Sequence, residues 1–375
     1  MNATQKQTQK SFVQPIWLGL TGLLTVAGIA SWIYQLSKGL GVTQLNILNP
    51  WGIYIAGFVY FMGLSAGALI LSALPVLFDL PTLRPYAKTT AFVALVALVI
   101  GGLFILIDLG NPDRLWRIVR YAHFGSPLLW DMLLTVVYLI LSTVYLRRLM
   151  INDTPNAGLK TLAVLALLAG VGDGLNGMVF ATQISREFWY SAVQPAAFVI
   201  AGVASAGAVL LLLAALLNTG LKAKDLNGLS ILTGAALAVD LLLIASEVIT
   251  LAFTRSTAST ALVGDLLGSP LFWIEILAGL AAALLLLLPA ARGQAFNRVA
   301  AALLALGELA LKRYIFIEMG FAEPNIQLPG LPLAPAGAYI PNVYEWGVVI
   351  GLLALFGLLL SVGIHSLRLG ANEKR

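Results

Sequence analysis

The sequence DLGNPDRLWRIVRYAHFGSPLLWD, Asp108–Asp131, joins one run of about twenty apolar residues to another, and a run of that length is what a helix needs to cross a bilayer. The segment is therefore an interfacial connection between two membrane helices. It holds three arginines (Arg114, Arg117, Arg120), an acid at each end (Asp108, Asp131) and His123, one of only two histidines in the chain. Carboxylates at the edge of hydrocarbon cost free energy and are kept there by a partner or a task. Arginines against lipid head groups would explain a lone loop of this kind; a second copy of the pattern further along argues for more.

Composition agrees with the membrane reading. The 375 residues are 59% hydrophobic and 10% charged, with mean hydropathy +0.92, where a soluble domain carries about 25% charge. The net charge of +5 is spread over short loops, which makes it an orientation signal and not a nucleic-acid footprint. No cysteine is present, which excludes disulfides and a cysteine-ligated iron–sulfur cluster within the chain. A bis-histidine haem is not expected either, because His123 sits in a loop and His365 near the end of the last apolar run. The polar start MNATQKQTQK leads into a full-length span without a cleavage site, so no removable signal peptide is expected.

Apolar runs predict ten helices, near 15–37, 51–78, 89–109, 127–149, 159–181, 192–217, 228–252, 269–289, 296–316 and 345–367. The fifth and ninth are the most polar. Of the 22 basic residues, fourteen flank the side that carries both termini and eight the other. By the positive-inside rule both termini are cytoplasmic, and Asp108–Asp131 lies on the outer face of a bacterial or archaeal cytoplasmic membrane. Three of the eight outer charges sit in that one loop, which suggests that they are held there for contact.

The chain repeats itself. Ser65-Ala-Gly-Ala recurs as Ser205-Ala-Gly-Ala, Ser126-Pro-Leu-Leu-Trp130 as Ser269-Pro-Leu-Phe-Trp273, and Phe104-Ile-Leu-Ile-Asp108 aligns with Leu243-Ile-Ala-Ser-Glu247. Four helices per copy is an even number, so the copies run in the same direction about an axis along the membrane normal. The expected fold is thus all-α: a first four-helix bundle over 49–183 and a second over 184–320. The tail and first helix (1–48) and a Pro-rich loop and last helix (321–375) flank them. Gly63, Ser65 and Gly67, then Gly202, Ser205 and Gly207, are small residues that let helices approach closely in lipid.

The acids are distributed unevenly. Asp108, Asp131, Glu247 and Glu275 fall near outer helix ends, Asp173 in the outer half of the fifth helix, and Asp240 and Glu308 near mid-membrane. None falls in a cytoplasmic half. Asp131 and Glu275 suit the positive N-terminal end of a helix, whereas Asp108 ends a helix where the dipole disfavours it and calls for a cation such as Arg114 or a role. Glu308 and Lys312 form an i,i+4 pair. Asp240 has no cation near it in sequence.

With those residues in view, the chain resembles the membrane subunit of the polysulfide reductase/NrfD family in its ten-helix form. The likeness lies in Asn49-Pro-Trp-Gly52, Gly63-Leu-Ser-Ala-Gly67-Ala, Asp108-Leu-Gly-Asn-Pro-Asp-Arg114, Ser126-Pro-Leu-Leu-Trp130-Asp131 and Tyr339-Ile-Pro-Asn-Val-Tyr-Glu345-Trp346. It implies a haem-free anchor that exchanges electrons between menaquinone or another quinone and an outer, four-cluster iron–sulfur subunit. That partner usually serves a molybdopterin or related catalytic subunit. It also implies a quinone pocket in the first bundle near the outer surface. The eight-helix members carry a histidine for the quinone in their first helix; this chain has none there, so its ligand set must differ.

The residues fit that chemistry. Quinol oxidation needs a base near the head group, and the expected site comprises Asp108 and Asp131 as proton acceptors with Trp51, Tyr54, Tyr60, Arg114, His123 and Trp130 around the ring. Asp173, Asp240, Glu247 and Glu308 form a candidate proton pathway, while Glu247, as the copy of Asp108, is expected to be structural or vestigial for quinone. Trp51 and Trp130 also suit an interfacial aromatic belt. The alternative readings are a secondary transporter with Asp240 and Glu247 as coupling acids, and a purely structural anchor.

Overall fold

A computed structural model describes residues 13–80, 84–151, 155–174, 177–216, 223–322, 339–367 and 369. Every regular element among them is helical. Ten helices are long: α1 Val13–Lys38, α2 Ile53–Leu77, α3 Ala87–Asp108, α4 Pro127–Ile151, α5 Ala157–Gly174, α6 Gln194–Leu216, α7 Ala223–Thr254, α8 Pro270–Leu287, α9 Ala295–Met319 and α10 Val343–Ser366. Among the described residues nine are long and apolar enough to cross a membrane, making this a multi-pass membrane protein. The exception is α9, whose 25 residues include five charges. It packs against α2, α6 and α8, and Glu308, Lys312 and Arg313 are buried there. Protein, not lipid, surrounds those charges.

α2, α3, α4 and α5 pack into one bundle and α6, α7, α8 and α9 into another. α1 and α10 pair with each other, and α10 leans on α3. The bundles meet where α2 crosses α6, which are the equivalent helices of the two copies. A Cβ on Gly67 would overlap the carbonyl group of Gly202, and one on Gly202 would overlap the Gly63 oxygen. The small-residue stripes are therefore packing surfaces in which the backbones themselves touch. Inside the first bundle, Ser65 donates to the Ala94 carbonyl at 2.7 Å and pairs with the Tyr138 hydroxyl, and Ser72 donates to Ala87 O. Such interhelical bonds contribute roughly 0.6 kcal/mol each in a membrane.

Connections at one end of the bundles are longer than at the other. On this long-loop face the Asn342 amide donates to Val42 O, Ile53 N–H to the Tyr339 hydroxyl, and the Arg186 guanidinium to Gly320 O. Ser256 donates to Glu187 there as well. Burial lowers the Arg186 pKa. The Tyr339 hydroxyl, buried and hydrogen-bonded to the Glu345 carboxylate, is pushed above its ordinary range. On the short-loop face Lys160 pairs with Asp79 at 2.9 Å, and that ammonium holds the Asp79 carboxyl below the usual carboxylate value.

Two elements depart from the sequence reading. α7 runs for 32 residues, longer than its apolar run, because its polar ends stay helical. The segment before α8, expected to be a loop, holds a further helix, Thr257–Gly268, capped by Ser256, whose hydroxyl accepts from Ser259 N–H.

Candidate functional site

The first bundle ends, on the long-loop face, in Asp108 at the last turn of α3. Asp108 is half-buried, and its Oδ1 has no hydrogen-bond partner among the described residues. The expected cation is not there. Gly110 takes a positive φ of 65°, a conformation that costs glycine little, and the chain turns away through Pro112–Arg114 so that Arg114 is exposed. Neither Arg117 nor Arg120 pairs with Asp108. Both are exposed, their guanidinium groups 6.0 and 5.6 Å from the Trp116 ring.

Tyr54 is the partner the structure does bring near. Its buried hydroxyl donates to Gln35 Oε1 at 2.7 Å, and the Gln35 amide reaches the carbonyl of Ile107, the residue before Asp108, at 3.5 Å. Gln35 escaped the sequence reading because α1 looked like an appended span; its signal was one amide two residues before the end of the first apolar run. Other expected ring contacts disperse. Trp51 stacks on Trp189 at 5.7 Å and touches Phe180 and Phe321 edge-on, so it belongs to an aromatic cluster between the bundles. Tyr60 is half-buried with its ring edge-on to Phe61. His123 is exposed in the loop, and Asp131 is half-buried on α4. Trp130 is exposed and donates from Nε1 to Phe124 O at 2.8 Å.

Trp273 makes the same bond in the second copy, Nε1 to Leu267 O at 2.8 Å. A repeat read from letters thus recurs as a shared hydrogen bond. Beyond it the bundles diverge. Asp240, buried in α7, is paired with Lys312 of α9 at 2.6 Å. Lys312 therefore reaches across to another helix instead of back to Glu308, whose carboxylate oxygens both lack a partner among the described residues. The Arg313 guanidinium lies 3.8 Å from the centroid of the Phe198 ring, a cation–π contact. Lys312 and Arg313 thus sit inside the protein and not in a loop flank, where the charge count had put them. Glu247 and Glu275 line, with Lys312, a cavity of about 500 Å³. The side chain of Asp173 lies outside the described residues.

Two same-direction helical bundles carrying carboxylates at their helix ends define a repeated-bundle, polytopic membrane protein. The sequence model of polysulphide reductase, NrfD, matches residues 41–325, and the chain belongs to that family. It is 31% identical to a provisionally named dimethyl sulfoxide reductase membrane subunit of Halobacterium salinarum, covering 94% of this chain and 91% of that one. It is 25% identical to a selenate reductase subunit of Mesobacillus selenatarsenatis over 94% of each chain. To the Hdr-like menaquinol oxidoreductase integral membrane subunit of Archaeoglobus fulgidus it is 27% identical over 91% of this chain and 90% of the relative.

Proposed function

We propose that this chain is the quinone-reactive membrane subunit of a respiratory oxidoreductase complex, exchanging electrons between menaquinone or a similar quinone and an iron–sulfur subunit docked on the long-loop face. The observation that carries the reading is the half-buried Asp108 carboxylate, one oxygen unpartnered, beside the Tyr54–Gln35 pair. An acceptor oxygen with no protein partner suits a hydroxyl brought by a ligand. A bound quinol supplies two electrons and two protons. Asp108 Oδ1 takes one proton and the other passes to water at the exposed long-loop face, Gln35 fixes the Tyr54 hydroxyl, and the aromatic cluster of Trp51 and Trp189 keeps water from the bundle interface. The chain has no cysteine to hold a cluster, so electrons leave to the partner, which in turn serves a molybdopterin or related subunit.

The exposed loop after α3 suits that partner. Arg114, Arg117 and Arg120 lie there beside exposed Trp116, Tyr121 and Phe124, a mixture common at the cores of interfaces. We take this face as the outer one, with both termini cytoplasmic. Asp173, Asp240, Glu247 and Glu308 remain candidates for proton movement, Asp240 as one half of an ion pair. A secondary transporter is favoured by one observation, the buried Asp240–Lys312 pair beside unpartnered Glu308.

Purification in mild detergent separates the readings. The expected outcome is a co-purifying iron–sulfur protein whose clusters are reduced by added menadiol, and outside labelling of a cysteine placed in the 111–125 loop. A chain that purifies alone and moves solute across vesicles would support the transporter instead.

A further inference from the structure

The second bundle contains what a head-group site needs. Its cavity of about 500 Å³ falls within the range of small-molecule pockets, roughly 300–1,000 Å³. Ile244, Phe272 and Phe316 give it apolar and aromatic walls. Its ionisable groups are Glu187, already bonded to Ser256, and Glu247, Glu275 and Lys312, with Ser191, Gln194, Thr250 and Thr254 among its neutral polar residues. Glu275 is 3% exposed and makes no hydrogen bond to any described residue; Glu247 Oε1 likewise lacks a partner. Lys312 commits one bond to Asp240, and an ammonium has three donors. Buried polar groups are normally paired, so carboxylates that face a cavity point to something that enters it. The cavity opens outward: Ile184 and Tyr190 line it and are 76% and 56% exposed, with exposed Thr250 and Thr254 beside them, which leaves an isoprenoid tail a way out.

The repeat says what kind of molecule. Glu247 stands where the first copy has Asp108, and Trp273 makes the bond that Trp130 makes. We infer that this cavity is a second binding site for the head group of a quinone or quinol. The ring lies against the aromatic walls. Glu247 and Glu275 accept from the hydroxyls of the quinol form, and the Lys312 ammonium donates to an oxygen of either form. The inference concerns binding alone, and it rests on the chain being quinone-reactive.

The test uses the purified complex and a menaquinone analogue carrying an aryl azide. Photolabel is expected in residues 244–275 as well as in the first bundle, and excess menadiol removes it. Val248→Trp, which fills the cavity, lowers the 244–275 label about tenfold or more, and Glu275→Gln, which keeps the shape, weakens it by a similar factor. Asp108→Asn leaves that label in place. If Val248→Trp fails to assemble on size exclusion, Glu275→Gln decides. Label confined to the first bundle overturns the second site and leaves the proposed function standing. Label confined to 244–275 keeps the second site and overturns the placement in the first bundle. No label in either overturns both, and leaves the cavity a chamber for water.

Discussion

The two bundles share a sequence pattern and differ in where their charges sit. In the first, no charged side chain among the described residues is fully buried, and hydroxyls hold the interior, Ser65 with Tyr138 and Ser72 with Tyr145, while Arg114, Arg117 and Arg120 stand exposed in the loop after α3. In the second, the corresponding loop is largely a helix, Thr257–Gly268, and the charges are inside: Asp240 with Lys312, Arg313 on Phe198, Glu275 and Glu308 buried beside them. The same helix plan therefore supports one bundle held by interhelical hydroxyl bonds and another with charges in its interior. A repeat fixes where helices go; it leaves open which bundle does chemistry and which carries charge.

The contrast can be broken by mutation. The largest effect should come from the join. Gly67→Leu places a side chain where Gly202 backbone already lies, and assembled complex on size exclusion should be lost. Gly264→Leu, with nothing within 4 Å of its Cβ, should assemble normally. Next is the interior charge of the second bundle. Lys312→Met strands the Asp240 carboxylate and should cost about 3–5 kcal/mol in thermal unfolding, with much of that recovered when Asp240→Asn is added. The first bundle contains no such pair among the described residues, so Tyr138→Phe should cost far less, about 1 kcal/mol. Smallest are the matched tryptophans. Trp130→Phe and Trp273→Phe each remove one indole hydrogen bond and should each cost about 1 kcal/mol or less; unequal losses would mean that the two bonds are not equivalent.

Most of the fold was legible in the letters. Twenty-residue apolar runs have one stable solution in lipid, and three anchors at nearly constant offset gave the duplication. The glycines were legible too, because few residues permit backbone contact. The site was legible only in outline. Asp108 stood out as an acid at the wrong end of a helix, but its isolation from Arg114 depends on the positive φ of Gly110, which spacing alone does not reveal. The Asp240–Lys312 pair joins helices 72 residues apart in sequence. An i,i+4 rule instead matched Lys312 to its nearer neighbour, Glu308. Glu275 read as a dipole partner, and its place in a cavity wall became visible only with the packing of α8 against α7 and α9. Gln35 needed the packing of α1 on the first bundle to acquire meaning.

The central claim, that quinol is oxidised in the first bundle with Asp108 as proton acceptor, is tested most directly by quinol-dependent reduction of the iron–sulfur partner in the purified complex. Asp108→Asn keeps the shape and removes the base, so turnover should fall about a hundredfold or more while the partner stays bound. Glu247→Gln, its counterpart in the second bundle, should lose well under about tenfold, since on the proposed reading its carboxylate lies outside the electron-yielding site. Near-normal turnover in Asp108→Asn, or an equal loss in Glu247→Gln, would contradict the account.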